Sequence, residues 1–295
     1  MLTLQSPAKI NLFLRILQRR ADGYHDLQTH FQFLDVADTL TFELNPAGEI
    51  TTQSLLSNVA WEDNLIYKAA KLLQQTLCTP LGANICWNKC LPLGGGIGGG
   101  SSNAATTLLA LHHLWQGQLS LETLIQLGRQ LGADVPIFIY GHAALAEGVG
   151  DKLSPLPARE QYCVLVFPDA HCATPQLFSH PELTKHTTSL RMDTVLKETG
   201  NDFEPLVKRL FPEVALALDC LTQFNPTARL SGSGAACFAL FDSHAEARYL
   251  VSRLPDSLKA HVCKTVNVSP LVTQLQALGI HFTEWGVAKR YGTGF

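Results

Sequence analysis

Six of the seven residues from Gly94 to Gly100 are glycine, the exception being Ile97. A segment with so little side chain cannot build a core of its own, so its shape must be imposed by whatever flanks it. Ala83 to Cys90 reads as a strand on one side, and a helical pattern carrying Leu108, Leu111 and Trp115 runs from about Ser101 to Gln116 on the other. In that order, glycine lets backbone N–H groups turn toward a common point at the positive end of the helix, where Ser101, Ser102 and Asn103 add donors. This is a cradle for an anion, with a di- or triphosphate as its natural guest. A flexible linker is the alternative, but a linker is not expected between a buried strand and an apolar helix.

The letters exclude several nucleotide loops. Walker A needs a lysine after its second glycine, and Gly100 and Ser101 stand in the two possible registers. The dinucleotide pattern G-x-G-x-x-G is met by Gly94, Gly96 and Gly99, which leaves a nicotinamide-dependent protein open. The acidic residue it requires at a strand end falls instead on Glu122 in the helical stretch LETLIQLG. No H-R-D or D-F-G follows, so the protein-kinase loop fails as well.

Around this loop the first half reads as strands at Ile10–Leu17 and Thr29–Leu44, with Ala21-Asp22-Gly23 and Asp38 taken as turn punctuation, and a helix after Asp63. The prolines of Lys152-Leu153-Ser154-Pro155-Leu156-Pro157 suggest a passage into a second domain. We divide the chain into 1–150, with the segment after 268 as a candidate to complete it, 151–268, and a tail at 272–295 whose role is not derivable. Beyond the passage come strands at Tyr162–Phe167, Ala236–Phe241 and near Val262, and helices near Phe203–Leu210, Glu213–Phe224 and after His244. Without a strict βαβ rhythm, the expected class is α+β.

A chain of 295 residues has material for about two domains. Its 22 basic against 25 acidic residues and lack of polybasic runs argue against a nucleic-acid partner. The eight cysteines contain no C-x-x-C and read as reduced core thiols. Cys86, Cys90, His112 and His113 come nearest to ligand spacing, but adjacent histidines face different sides of a helix, so no protein metal site is expected. No apolar run reaches the ~18 residues of a membrane span. Lys9, Asn11 and Arg15 interrupt the first apolar stretch against a signal peptide, which makes a cytoplasmic protein with no membrane partner the expectation.

Three separated segments, in order, resemble a known superfamily. Pro92-Leu93-Gly94-Gly95-Gly96-Ile97-Gly98-Gly99-Gly100-Ser101-Ser102-Asn103 is similar to the phosphate motif of the galactokinase, homoserine, mevalonate and phosphomevalonate (GHMP) kinases. Arg229-Leu230-Ser231-Gly232-Ser233-Gly234-Ala235-Ala236 resembles their third motif, and Ser6-Pro7-Ala8-Lys9-Ile10-Asn11-Leu12 their first. Ala21-Asp22-Gly23-Tyr24-His25 and Leu131-Gly132-Ala133-Asp134-Val135-Pro136 further resemble the branch acting on a cytidine diphosphate-linked methylerythritol. The resemblance implies a ribosomal-S5-like ATP domain joined to a ferredoxin-like substrate domain. It also implies ATP, with Mg2+ carried on the nucleotide, and phosphorylation of a small-molecule alcohol. Another small-alcohol kinase of the superfamily is the neighbouring reading, and monomer and homodimer are both open.

Phosphoryl transfer to an alcohol needs a proton acceptor and positive charge near the forming bond. Asp134 and Lys9 are one of each, both set among small and apolar residues, where a Lys–Asp pair would account for both. A helix cap for Asp134 and a surface lysine are the plain alternatives. The resemblance implies that Asp134 is the base and Lys9 its electrostatic partner. It places Tyr24 and Phe178 on the faces of cytosine, His25 on its polar edge, and Asn11 and Thr174 on the substrate's polar groups. Asn64 and Lys89 fall beside the nucleotide base, their alternatives being a helix-start residue and a strand-end surface charge.

Overall fold

In the computed structural model, residues 1–54, 60–92, 94–183, 188–195, 197–198 and 200–282 are described. Two long strands, β1 (Leu2–Arg19) and β2 (His25–Asn45), pair antiparallel. They turn at Ala21-Asp22-Gly23, where Gly23 takes φ +89° and Asp22 accepts from the Tyr24 amide. There follow β3 (Ile50–Thr51), α1 (Leu65–Leu77), β4 (Gly82–Asn88), α2 (Gly99–Leu114), α3 (Leu121–Leu131), α4 (Val135–Tyr140), β5 (Ala144–Glu147) and β6 (Lys152–Pro155). The second half contributes β7 (Tyr162–Phe167), α5 (Thr174–Ser179), α6 (Met192–Val195), α7 (Glu204–Leu210) and α8 (Pro212–Thr222). It continues with β8 (Arg229–Leu230), β9 (Cys237–Phe241), α9 (His244–Arg253) and β10 (Lys259–Val266), and α10 (Pro270–Ala277) follows.

The strands run β3-β4-β2-β10-β7-β9-β8, with β1 and β5 also on β2 and β6 on β5. Through Thr265↔Leu34 and Val266↔Phe33 on one side and Cys263↔Cys163 on the other, β10 joins the two halves. Helix α2 is buried nearly all round, because α1 and α4 flank it over the sheet and Ala104, Ala105 and Ala110 let them approach. Each of Leu108, Leu109 and Leu111 at its centre contributes about 1.5–3 kcal/mol by burial. A second core gathers Val164, Val166, Val207, Leu218 and Leu250 under α7, α8 and α9. Between the two, a small cluster of Ala8, Ile10, Leu34, Leu91, Ile97, Leu165 and Phe238 forms the seam.

Several expectations change. Strand β6 lies past the break placed at 150 and pairs back onto β5 from Ala144↔Pro155 to Glu147↔Lys152, because an edge hairpin outweighs the local proline content. Asp38 is no turn residue: it is wholly buried inside β2. Of the cysteines, Cys163, Cys172, Cys237 and Cys263 are buried, whereas Cys78 and Cys90 are exposed, Cys78 closing α1 in the left-handed region at φ 50°. Burial pushes the Cys172 thiol up to about 11 and raises Cys163 and Cys237 well above their usual range. His112 is buried and His113 exposed, and His112 Nε2 accepts from the Leu119 amide. The chain after 268 packs on the first core through Leu271, Val272, Leu275 and Ile280. Residues 283–295 of the tail lie outside the described residues, as does Leu93.

Two predictions follow from the packing. Leu109→Ala should lower unfolding free energy by about 2–5 kcal/mol in urea. Desolvation holds the imidazoles of His30 and His112 below their ordinary 6.5, with His113 adding to the effect at His112. The unfolded chain therefore binds more protons, so their contribution to stability is complete above pH 6.5 and is lost as pH falls through the depressed folded values. His30→Gln should flatten that acid limb in a urea series across pH 5–7, with about 6.5 as the upper edge.

Candidate active site

Helix α2 begins inside the glycine tract, with Gly98 as its N-cap at φ +76° and no side-chain cap. The first intrahelical bond runs from the Ser102 amide to the Gly98 carbonyl at 2.8 Å, so the amides of Gly98 to Ser101 precede the helix's own ladder. What shapes the loop comes from elsewhere. The Lys9 amide donates to Ile97 O (3.0 Å), the Ala236 amide to Gly95 O (3.1 Å) and Ser231 Oγ to Gly96 O (3.1 Å). Ile97, 1% exposed, pins the loop by its side chain in the seam cluster. Glycine is required at position 96, where φ is +70° and a Cβ would sit 2.2 Å from the Ser231 carbonyl oxygen. It is required at 98 too, where a Cβ would fall 2.7 Å from the Phe138 ring and 3.2 Å from Lys9 Cε. The turn at Ser231–Gly234, within the segment that resembles the third motif, packs directly on the loop.

Lys9 and Asp134 meet beside this bed, Nζ to Oδ2 at 3.2 Å. The register of β1 on β2 shifts between Pro7 and Lys9 and again between Asn11 and Phe13, irregularities that re-aim the side chains between them. Lys9 is 2% exposed; its ammonium also donates to Asn11 Oδ1 (2.8 Å) and Gly96 O (3.0 Å) and lies 5.3 Å from the Phe31 ring centre. Asn11 in turn donates to Thr29 Oγ1 at 2.8 Å, so the lysine is held in a fixed polar chain. Asp134 occupies the N-cap position of α4 without making a capping bond, and it is 36% exposed, which leaves its carboxylate reachable from solvent. Neither a surface lysine nor an engaged cap is what the fold makes of them.

The other residues divide. Ser6 donates to Ser102 across a buried 2.8 Å contact, tying β1 to the first turn of α2. Asn64 caps α1 by accepting from the Ile66 amide at 2.9 Å, which is the helix-start alternative. Lys89 is no free surface charge: it pairs with Asp38 at 2.5 Å, and its Nζ is 3.3 Å from where a Gly99 Cβ would lie. Tyr24 stands 63% exposed at the hairpin tip, while the adjacent His25 is buried and stacks on Phe178 at 5.0 Å and 17°. Phe178 meets Phe203 edge-on at 4.9 Å. Thr174 and Ser233 share a hydroxyl contact of 2.6 Å, linking α5 to the third-motif turn. Asn201, unread in the sequence because it lies in an unpatterned loop, donates to Leu230 O (2.9 Å) and Gly232 O (2.8 Å). It thereby fixes the turn over Lys9, whose Nζ is 3.6 Å from a Cβ position at Gly232. Among the described residues no group of three or more His, Cys, Asp or Glu is placed to hold a metal.

The pattern described as GHMP kinases N terminal domain matches residues 64–142, and that of the GHMP kinases C terminal domain matches 182–260. This is the architecture of a small-molecule kinase. A curated 4-diphosphocytidyl-2-C-methyl-D-erythritol kinase from Shewanella loihica is 48% identical, over 92% of this chain and 95% of that protein. A crystal structure of 4-(cytidine 5'-diphospho)-2C-methyl-D-erythritol kinase superposes with TM-score 0.77 at 33% identity, over 90% of this chain and 99% of the other. Methanococcus jannaschii mevalonate kinase shares the fold at TM-score 0.66 and 16% identity, over 90% of this chain and 98% of its own. The chain belongs to the GHMP kinase family, in the branch of the 4-diphosphocytidyl-2-C-methyl-D-erythritol kinases.

Gly96→Ala tests the packing of the loop. The forced displacement should cost about 1–3 kcal/mol of stability in thermal or urea unfolding. It should also lower turnover about a hundredfold by displacing the Gly96 carbonyl that orients the Lys9 ammonium.

Proposed function

We propose that the chain transfers the γ-phosphoryl group of ATP to the 2-hydroxyl of 4-diphosphocytidyl-2-C-methyl-D-erythritol, giving the 2-phosphate and ADP. The observation that carries the reading is the Lys9–Asp134 contact of 3.2 Å beside the uncapped glycine start of α2. The relatives' names supply the substrate. In this reading the free amides at the start of α2, with the Ser101 hydroxyl, receive the triphosphate of ATP, while Ser102 and Asn103, buried and bonded to Ser6 and Asp38, brace the start of the helix. Lys89 and Asn64 lie at the nucleotide's side.

Asp134, the reachable carboxylate of the pair, takes the proton of the substrate hydroxyl. The oxygen then bonds to the γ-phosphorus as the bond to the bridging oxygen of ADP breaks. Lys9, already oriented by Asn11 and the Gly96 carbonyl, supplies positive charge to the developing alkoxide with no reorganisation at the moment of transfer. The exposed Tyr24 offers a flat face for cytosine, and the stack of Phe178 on the buried His25 forms the wall beside it. Asn11, which accepts from Lys9, and Thr174, which contacts Ser233, would meet the substrate's polar groups. The Ser101 hydroxyl, 3.9 Å from a Cβ position at Gly132, and the Asp134 carboxylate two residues further on are hard oxygens and would suit Mg2+ carried by the nucleotide with most of its water retained. When bound, the ion neutralises phosphate charge.

Asp134→Asn and Lys9→Ala should each lower kcat by about 10²–10⁴-fold, with the unfolding temperature close to wild type in Asp134→Asn and lowered, in a protein that still folds, where the buried Lys9 is deleted. Phe178→Ala should raise KM for the cytidylylated substrate about 2–10-fold and leave KM for ATP unchanged. Steady-state kinetics on cytidylylated and free polyols, mevalonate and homoserine, with phosphorus NMR of the product, checks both. Equal turnover of mevalonate or homoserine, or full activity in folded Asp134→Asn, would refute the assignment.

A further inference from the structure

We infer that Asp38 is a positioning residue for the nucleotide: a buried carboxylate that clasps the two ends of the glycine loop and so preforms the amide bed. The inference rests on the phosphotransferase reading of that loop. Asp38 is 0% exposed in β2, next to Thr39, which pairs with Asn88 at the end of β4, so it lies where the chain leaves the sheet for the loop. Both of its oxygens are doubly engaged. Oδ1 accepts from the Cys90 amide at 2.8 Å and the Leu91 amide at 2.7 Å. Oδ2 accepts from Lys89 Nζ at 2.5 Å and from Asn103 Nδ2 at 3.2 Å. Three of these donors belong to the residues entering the loop and the fourth to Asn103, the fifth residue of α2, so one side chain sets entry and exit in a single register.

The chemistry requires a carboxylate. Four donors converge on it, and a buried carboxylate is tolerated only when hydrogen-bonded and compensated, which the Lys89 ammonium achieves. An asparagine could keep the two backbone amides on its oxygen, but its own NH2 would then face the Lys89 ammonium and the Asn103 amide, which are donors themselves. Asp38 also settles which way Asn103 points. With Nδ2 turned to the carboxylate, Asn103 Oδ1 faces elsewhere, buried and with no hydrogen-bond partner among the described residues. Amides fixed before the phosphates arrive need no reordering on binding, so the effect belongs in nucleotide affinity and not in the proton transfer at Asp134.

Asp38→Asn should raise KM for ATP about 10–100-fold, while KM for the alcohol substrate and kcat at saturation stay within about threefold. In the nucleotide-free protein, the Cys90 and Leu91 amides should exchange with deuterium faster in Asp38→Asn than in wild type. Unchanged KM for ATP in folded Asp38→Asn overturns the inference. So does a fall in kcat with both KM values unchanged, which is what a partly unfolded enzyme would give. If Asp38→Asn does not fold, Asn103→Ala decides, because it frees the helix end of the clasp and leaves the Lys89–Asp38 pair intact. Its Cys90 and Leu91 amides should stay slow while KM for ATP rises, and an unchanged KM for ATP in the folded variant overturns the proposal. Wild-type failure to phosphorylate the cytidylylated polyol would instead count against the functional reading, since equilibrium ATP binding and amide exchange report on Asp38 without turnover.

Discussion

A loop made almost wholly of glycine has no side chains with which to hold its own shape, and the site depends on how the rest of the chain holds it. The Lys9 amide and ammonium, the Ala236 amide and the Ser231 hydroxyl bind its carbonyls, and Ile97 anchors it by burial. These contacts engage the carbonyls of Gly95, Gly96 and Ile97, and the amides of Gly98 to Ser101 come before the helix's own ladder. The same contacts explain why glycine is needed: the neighbours that fix the loop stand where a Cβ would go.

The contributors come from both halves of the molecule. β1 brings Lys9 and Asn11, the start of α4 brings Asp134, and the turn after β8 brings Ser231 and Gly232. They converge because β10 pairs with β2 and β7 at once and a small apolar seam closes beneath the loop. The catalytic geometry proposed here is therefore coupled to the seam's packing. Asn201 and Asp38 illustrate the coupling from opposite sides, one fixing the turn above Lys9 and the other the root of the loop.

Much of this was legible in the chain. The strand, glycine loop and helix stand where the pattern put them, as does β7, and the Ala21-Asp22-Gly23 turn closes the hairpin. Lys9 and Asp134 were singled out as charges among apolar neighbours, and they touch. The failures share a cause. Asp38 sits in a segment whose letters suit a turn, and its burial is possible only because Lys89, Cys90, Leu91 and Asn103 bring donors to it from across the sheet. Pro155 reads as a break, yet β6 pairs back on β5. Asn201 lies in a loop without periodicity and carries no local signal.

The sequence by itself determined the inventory and its local order: a loop able to turn its amides outward, helices and strands set by periods of a few residues, and one acid and one base in apolar surroundings. Tertiary structure alone decided which carboxylate reaches solvent and which is sealed beneath the loop. Asp134 and Asp38 are the same side chain, and local propensity cannot tell them apart. The difference is made by strand register and by which distant donors burial brings within hydrogen-bond reach, and neither is encoded within a few residues of either aspartate.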